Sequence, residues 1–213
     1  MKPLLLNGPL ARFFSLLMVI SLAACTSGPS GEAMLRPGPQ RLPTLQAQGD
    51  LVIATLGGAT VTAEPLTEKG LDAYYARRPT LLNPFKTPSK GKGTKGPLAF
   101  LLRIRNVGRD RVTFDPGQAW LTDQQDRRSA AFSYDELHSL FSGKGESAKV
   151  LRALEETVLT SLLVVPPKLD REGLLIFPPP DPAAKMVILE VGSFYVGPTE
   201  QLLLFEFEVR RSP

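Results

Sequence analysis

The segment Leu203-Leu204-Phe205-Glu206-Phe207-Glu208-Val209-Arg210 decides the fold class of this chain. Every second residue from Leu203 onward is large and apolar, and the positions between them after Leu204 are charged. Successive side chains of a β-strand point to opposite faces, so this alternation predicts a half-buried strand. Phe205 and Phe207 are expected in a core, and Glu206 is expected on the solvent-facing side.

The same alternation recurs upstream in the chain. Phe100, Leu102 and Ile104 share one predicted face, and Arg103 and Arg105 take the other. Shorter strand candidates are separated by turn sequences rich in Gly, Pro, Asn and Asp. Half-buried strands joined by short turns favour two antiparallel sheets packed face to face. The shorter candidates are residues 51–56, 60–63, 111–114, 118–122, 173–177 and 185–191.

Helical patterns interrupt the predicted strands. Thr67 is suited to cap a short helix. Ser133, with a glutamate three residues later, predicts a capping box at the start of a helix over 134–141. Apolar residues three and four apart predict a further helix over about 146–162. The sequence therefore predicts a helical insertion over about 133–168.

Five short motifs follow one another in the body of the chain. They are Leu102-Arg103-Ile104-Arg105-Asn106-Val107-Gly108, Val112-Thr113-Phe114-Asp115-Pro116, Trp120-Leu121-Thr122-Asp123, Gly173-Leu174-Leu175-Ile176-Phe177-Pro178 and Phe205-Glu206-Phe207. This series resembles the immunoglobulin-like domains found in many bacterial lipoproteins. The resemblance covers about residues 98–209 apart from the insertion. It implies a mainly β fold, an immunoglobulin-like antiparallel β-sandwich with short helical insertions. The motifs are core and turn patterns, so the resemblance implies no catalytic residue.

The 213 residues divide into three predicted regions. Residues 1–24 begin with a basic segment, continue with an apolar run and end in small residues, which is the pattern of an export signal. The apolar run is shorter than the about 20 residues that a membrane span needs. Residues 25–47 are rich in Pro and Gly and are expected to form a flexible tether. Residues 48–213 are expected to form the sandwich domain, which is large enough to bury a core.

The tetrapeptide Leu22-Ala23-Ala24-Cys25 resembles the lipobox of bacterial lipoproteins. Cys25 is the only cysteine of the chain, and its thiol is the soft nucleophile that thioether formation needs. The resemblance implies a diacylglyceryl group on Cys25 and cleavage before it by signal peptidase II, which recognises Leu22, Ala23 and Ala24. Two or more acyl chains give durable membrane anchoring. The residue after Cys25 is Thr26 and not an Asp, and resemblance to the lipoproteins of Gram-negative bacteria then implies sorting to the outer membrane, facing the periplasm.

The composition limits the classes of partner and cofactor. The formal net charge is +4, and cleavage after residue 24 removes Lys2 and Arg12 to leave +2. So small an excess gives no support for a nucleic-acid partner, and none is expected. One His and one Cys exclude a zinc finger, a multi-ligand His/Cys metal site and a disulfide framework. No metal and no cofactor are expected.

A basic stretch over residues 73–109 contains no acidic residue. Within it, Lys86, Lys90, Lys92 and Lys95 lie in a Pro/Gly-rich loop with little to bury. One interpretation is a solvated loop. The functional hypothesis is contact with anionic lipid headgroups or an acidic envelope polymer, each Lys contributing about 1 kcal/mol near an anionic surface.

The search for catalytic residues yields little. His138 is the only histidine, no Gly-x-Ser-x-Gly elbow accompanies it, and a partly exposed position on the helix is expected. Trp120 is expected in the core. The leading hypothesis is therefore a lipid-anchored, non-enzymatic module that presents its loops to an envelope protein partner. Two alternatives stay open. One is a ligand carrier or assembly chaperone whose helical insertion covers an apolar pocket, and the other is a hydrolase that uses His138.

Overall fold

The computed structural model describes residues 33–86, 96–142 and 147–211 of the chain. These residues form twelve β-strands, three α-helices and one 3₁₀ turn, Pro116–Gln118. The strands are β1 Ala33–Pro37, β2 Leu45–Gln48, β3 Leu51–Thr55, β4 Ala59–Leu66, β5 Leu98–Asn106, β6 Val112–Phe114, β7 Ala119–Asp123, β8 Arg128–Ala130, β9 Leu163–Val165, β10 Asp170–Phe177, β11 Met186–Val196 and β12 Thr199–Arg211. The helices are α1 Glu68–Ala76, α2 Tyr134–Phe141 and α3 Ser147–Thr157.

The strands form two antiparallel sheets in a sandwich-like arrangement, which confirms the predicted mainly β architecture. Sheet A has the order β1-β12-β11-β6-β9, and β7 pairs with both β11 and β8. Sheet B has the order β10-β5-β4-β3-β2. Neighbouring strands within each sheet are antiparallel, as short turns between half-buried strands require.

The main core lies between the two sheets. Leu203, Phe205 and Phe207 of β12 are fully buried in it, as their alternation predicts. The ring of Phe100 in sheet B lies 5.2 Å from that of Phe207 and 5.9 Å from that of Phe177, measured between centroids. Aromatic contacts across and within the sheets therefore stabilise the sandwich.

A second core lies on the outer face of sheet B, under the three helices. Ala99 and Leu101 of β5 point into it, together with Leu174 and Ile176 of β10. Residues 98–102 of β5 and 173–177 of β10 are therefore buried on both faces, which removes the alternation there that marks a half-buried strand. Every buried residue of the two cores lies between Leu35 and Phe207, so a chain that begins at Thr26 retains both.

The helix starts follow their sequence signals. Thr67 caps α1 by accepting a hydrogen bond from the backbone N–H of Gly70. Ser133 and Glu136 form the predicted capping box at the start of α2. The prediction for the next helix is too long at its end, because α3 stops at Thr157. The hydroxyl of Thr157 is buried and within 2.7 Å of the Tyr75 hydroxyl, which joins α3 to α1.

The predicted tether over residues 25–47 is wrong in its second half. Residues 33–37 form β1, which pairs with the last strand of sheet A, and residues 45–48 form β2, which pairs with β3. Prolines between the two strands do not prevent this, because Pro is compatible with edge strands and turns. The described part of the sandwich therefore begins at Ala33, and residues 25–32 lie outside the described part of the chain.

Two further expectations fail on the outer face of sheet A. Glu206 is only 4% exposed, because Gln40 and Arg41 fold over it: Glu206 N–H donates to the Gln40 side chain, and the Arg41 Nε lies 3.2 Å from the carboxylate. Trp120 is half-buried rather than a core residue. The guanidinium of Arg128 lies 4.6 Å from its ring centroid.

The sandwich has two ends, which carry different loops. The Ala33 end consists of Ala33, residues 123–128, residues 178–185 and Arg211, since Ala33 pairs with Arg211 and Val187 with Asp123. The Asn106 end consists of residues 57–58, 106–111, 166–169 and 197. Hydrogen bonds among Gly58, Asn106, Arg111, Leu169 and Gly197 bring these segments together.

Candidate functional site

Asn106 organises the loops of the Asn106 end. Its side chain is 1% exposed, and its Nδ2 donates to the carbonyl oxygens of Asp110 at 2.8 Å and Val165 at 3.0 Å. Its Oδ1 accepts a hydrogen bond from the backbone N–H of Gly108, and its own backbone N–H donates to Leu169 O. The buried side-chain amide of Asn106 therefore fastens the turn after β5 to the end of β9, and its backbone N–H fastens the same turn to the segment before β10.

Two glycine turns meet beside Asn106. Gly58 O accepts hydrogen bonds from the backbone N–H groups of Val107 and Gly108, at 2.9 and 2.7 Å. Gly58 has φ +124°, a conformation that favours glycine. A Cβ at Gly108 would lie 3.0 Å from Gly58 O, so the close approach needs glycine on both sides. The loops of this end are held backbone to backbone and form a defined surface.

Carboxylates organise the Ala33 end instead. Asp123, at the end of β7, accepts hydrogen bonds from the backbone N–H groups of Gln125 and Arg127 and from Arg127 Nε at 2.7 Å. Arg127 also bonds to Asp181 in the link between β10 and β11. Burial alone would raise the pKa of Asp123, but these hydrogen bonds outweigh it and lower the pKa below its ordinary value.

A cleft of about 240 Å³ opens at this end. Its walls include the apolar side chains of Leu121 and Val187. Its rim includes Pro179 and the charged residues Asp181 and Arg127. The lining residues belong to strands and connecting loops of the sandwich, and none belongs to α1, α2 or α3. The cleft is therefore not a pocket beneath the helical insertion.

An ion-pair cluster ties the helical layer to sheet B. Glu172 accepts hydrogen bonds from Arg78 Nη2 at 2.7 Å and from Arg103 Nε at 3.1 Å. Burial would raise the pKa of Glu172, but the two guanidinium groups outweigh it and lower that pKa. Arg103 also lies 3.5 Å from Glu64. These charges pair with one another on the sheet surface, so the cluster is a structural fastening.

Most of the site residues predicted from the sequence lie outside the described residues. Lys86 is described and exposed, next to the buried Phe85 of the second core. The hypothesis that this lysine group contacts an anionic surface stays a prediction. The predicted residues outside the described ranges are Leu22, Ala23, Ala24, Cys25, Lys90, Lys92 and Lys95.

The one residue considered for catalysis lies on the surface of a helix. His138 is exposed on α2, as expected, and its ring faces that of Tyr134 with 6.0 Å between centroids. Asp115 caps the 3₁₀ turn through Gly117 N–H. No three His, Cys, Asp or Glu side chains converge to hold a metal ion within residues 33–86, 96–142 and 147–211. No helix in that part of the chain is long and apolar enough to span a membrane.

The sequence marks Asn106 and Asp123 as turn residues but does not identify them as the residues that organise the two ends. The Asn-x-Gly spelling at Asn106 marks a turn, but it does not reveal that the amide reaches Asp110 and Val165. Asp123 closes the Leu-x-Asp motif, and nothing in the sequence pairs it with Arg127 beyond their spacing of four residues. Contacts with distant segments depend on the sheet register, which sequence periodicity does not specify.

The comparisons with known proteins give one weak structural likeness. No protein-family model matches the sequence, and no curated protein matches it. The chain is similar to the yjhA protein from Bacillus subtilis, known from a crystal structure, with 19% sequence identity and a TM-score of 0.28. The match covers 46% of this chain and only 59% of the yjhA chain. A likeness at that level carries no argument about fold or function.

Proposed function

We propose that this chain is a lipid-anchored, non-enzymatic lipoprotein of the bacterial cell envelope, which presents the loops of its sandwich to an envelope protein partner. The observation that carries the proposal is the tetrapeptide Leu22-Ala23-Ala24-Cys25. It holds the single cysteine of the chain directly after an export-type apolar run. Thr26 supports a location at the outer membrane, facing the periplasm.

The position of β1 supports an oriented module rather than a loosely tethered one. Ala33 lies eight residues after Cys25 and starts a strand that is paired with β12. Eight residues span at most about 28 Å when fully extended. The Ala33 end of the sandwich would therefore stay close to the lipid headgroups, and the Asn106 end would project away from them.

We further propose that the sandwich is a variant of the immunoglobulin-like domain. The two antiparallel sheets and the buried Asn106, at the turn where the Asn-x-Gly motif predicts one, support this proposal. The departure from the simple pattern is the helical layer on sheet B, built from α1 and from the insertion that contains α2 and α3.

The anchor is tested by metabolic labelling with a radioactive fatty acid. In a bacterial host the wild-type chain is expected to incorporate label, and Cys25→Ser is expected to lose it and to accumulate as uncleaved precursor. Thr26→Ala is the matched control, because it changes the next residue and leaves the thiol in place. Label retained in Cys25→Ser would contradict the proposed anchor.

A further inference from the structure

The Asn106 end carries more cationic than acidic side chains. Five exposed cations lie at or beside it with the exposed aspartates Asp110 and Asp170, and Asp170 lies directly across from Arg105 where β10 pairs with β5. The arginines elsewhere on the sandwich are often neutralised, for example Arg103 by Glu172 and Arg127 by Asp123 and Asp181. Within residues 33–86, 96–142 and 147–211, no ion pair involves any of the five cations at or beside the Asn106 end. These exposed cations are Arg105, Arg109, Arg111, Lys168 and Arg171.

Exposed apolar side chains also lie at this end: Val107 and Leu169 in the loops beside the cations, and Val164 on the outer face of sheet A. Val107, Val164 and Leu169 are each between 44% and 46% exposed. Val107 and Leu169 flank the buried Asn106, because Lys168 Nζ donates to Val107 O and the Asn106 N–H donates to Leu169 O. Val164 is the central residue of β9, whose next residue accepts a hydrogen bond from Asn106. The surface therefore combines positive charge with apolar contact area.

β9 is also an edge strand of sheet A at this surface, and the carbonyl of its last residue, Val165, already accepts a hydrogen bond from Asn106 Nδ2. The strand pairs with β6 on one side, and in the described part of the chain no strand pairs with its other side. An extended segment of another protein can add to such an edge through backbone hydrogen bonds, while alternate side chains supply the specificity. The free cations favour acidic residues in that segment, and the exposed apolar side chains favour apolar residues between them.

The geometry argues against the protein's own membrane as the occupant. This step rests on the proposed lipid anchor at Cys25. Strand β5 runs nine residues from Leu98 to Asn106, which separates the two ends of the sandwich by about 30 Å. A tether of at most about 28 Å that starts at the Ala33 end would have to double back along the whole sandwich to bring the Asn106 end to the bilayer.

We infer that the Asn106 end, with the edge strand β9, is the docking surface for an acidic, extended segment of an envelope protein in which carboxylates alternate with apolar side chains. Arg105 and Arg109 bind the carboxylates, and Val107 and Leu169 contact the apolar side chains. Binding of this kind is steered by charge, so it weakens as salt screens the cations.

The experiment measures fluorescence anisotropy of a labelled twelve-residue peptide of alternating Val and Glu, titrated with the unlipidated chain from Thr26 onward. The expected result is binding at low ionic strength that weakens with salt, and no binding of the matching Val/Lys peptide. Arg105→Glu/Arg109→Glu is expected to weaken binding at least tenfold. Leu169→Ser, which keeps the charges and the backbone, is expected to weaken it by a smaller factor.

The matched control is Arg36→Glu/Lys185→Glu, which reverses two exposed charges at or beside the Ala33 end and changes the net charge equally. It is expected to leave peptide affinity within a factor of two or three, and denaturant melts verify that each variant is folded. Absence of peptide binding by the wild-type chain, or equal losses in the two double variants, would overturn the inference. Binding to phosphatidylglycerol vesicles through Arg105 and Arg109 without peptide binding would assign this end to a membrane instead. Because the assay uses unlipidated protein, its outcome is independent of whether Cys25 is acylated.

Discussion

The two ends of the sandwich are fastened by different chemistry. At the Ala33 end, Asp123 binds backbone N–H groups and Arg127, and Arg127 in turn binds Asp181. At the Asn106 end, one neutral amide performs the equivalent task and binds only backbone groups. Fastening by the Asp123 carboxylate engages the neighbouring Arg127 in an ion pair and depends on the ionisation of Asp123. Amide fastening does neither, and the arginines of the Asn106 end form no ion pair within the described residues.

The largest expected effect lies in the core that both ends share. Phe205→Ala is expected to lower the free energy of unfolding by about 3–5 kcal/mol, because Phe205 is fully buried between the sheets. Denaturant melts measure the loss. Leu202→Ala on the same strand is the control, since Leu202 is largely exposed, and it is expected to change stability by less than about 0.5 kcal/mol. Similar losses in the two variants would contradict the register of β12.

The next largest effect is expected at the Asn106 end. Asn106→Ala removes three side-chain hydrogen bonds and leaves buried backbone groups unpaired, which is expected to cost about 2–4 kcal/mol. Asn106→Asp keeps the shape and the acceptor for Gly108 N–H but loses both Nδ2 donors, so it is also expected to destabilise the fold. If both variants unfold within about 0.5 kcal/mol of the wild-type chain in urea, Asn106 does not fasten this end.

Much of the fold can be predicted from the sequence wherever one face of a strand or helix is exposed to solvent. The alternation in β12 identifies the buried side of that strand, and Ser133 with the glutamate three residues later identifies the start of α2. These signals are local, because side-chain direction and capping depend on residues close in the chain. The candidate site is harder to predict: Asn106 is recognisable as a turn residue, but its side-chain partner Val165 comes from a distant segment.

The missed features share a physical cause, which is contact with a distant segment. Residues 33–37 look like tether because they lie in a stretch rich in Pro and Gly, and only pairing with β12 makes them a strand. The second core is hidden because helices cover residues 98–102 of β5 and 173–177 of β10, so both faces of those segments are apolar. Glu206 looks solvent-facing because the sequence does not show that residues 40–41 fold over it.

The pH dependence of stability is expected to separate the two ends. The pKa of Asp123 is lower in the folded chain than its ordinary value, which is about 3.9 in an unfolded peptide. Ionised Asp123 therefore adds stability above that value, and the contribution is lost as the pH falls through the folded pKa. Asp123→Asn is expected to cost about 2 kcal/mol at neutral pH and to flatten the acid decline.

Melts of the same variants between pH 7 and pH 2 check this difference. Asn106→Ala is expected to lower the whole stability curve without changing its slope in acid, because the amide does not titrate. Part of the acid decline should survive in Asp123→Asn, since Glu136, Glu172 and Asp181 also have lowered pKa values. An unchanged slope in Asp123→Asn would mean that carboxylate fastening of the Ala33 end is not what acid disrupts.

The smallest expected effect tests how firmly Glu206 holds the segment between β1 and β2. The carboxylate of Glu206 accepts from the backbone N–H of Arg41 at 3.3 Å and lies 3.2 Å from Arg41 Nε. Arg41 is mostly exposed, so solvent screens the ion pair and the hydrogen bond supplies most of the stabilisation. Glu206→Ala is expected to cost about 1 kcal/mol in urea melts, whereas Glu208→Ala, two residues along on the same face, should cost less than about 0.5 kcal/mol. A loss at Glu206 no greater than that at Glu208 would restore the sequence-based expectation that both carboxylates simply face water.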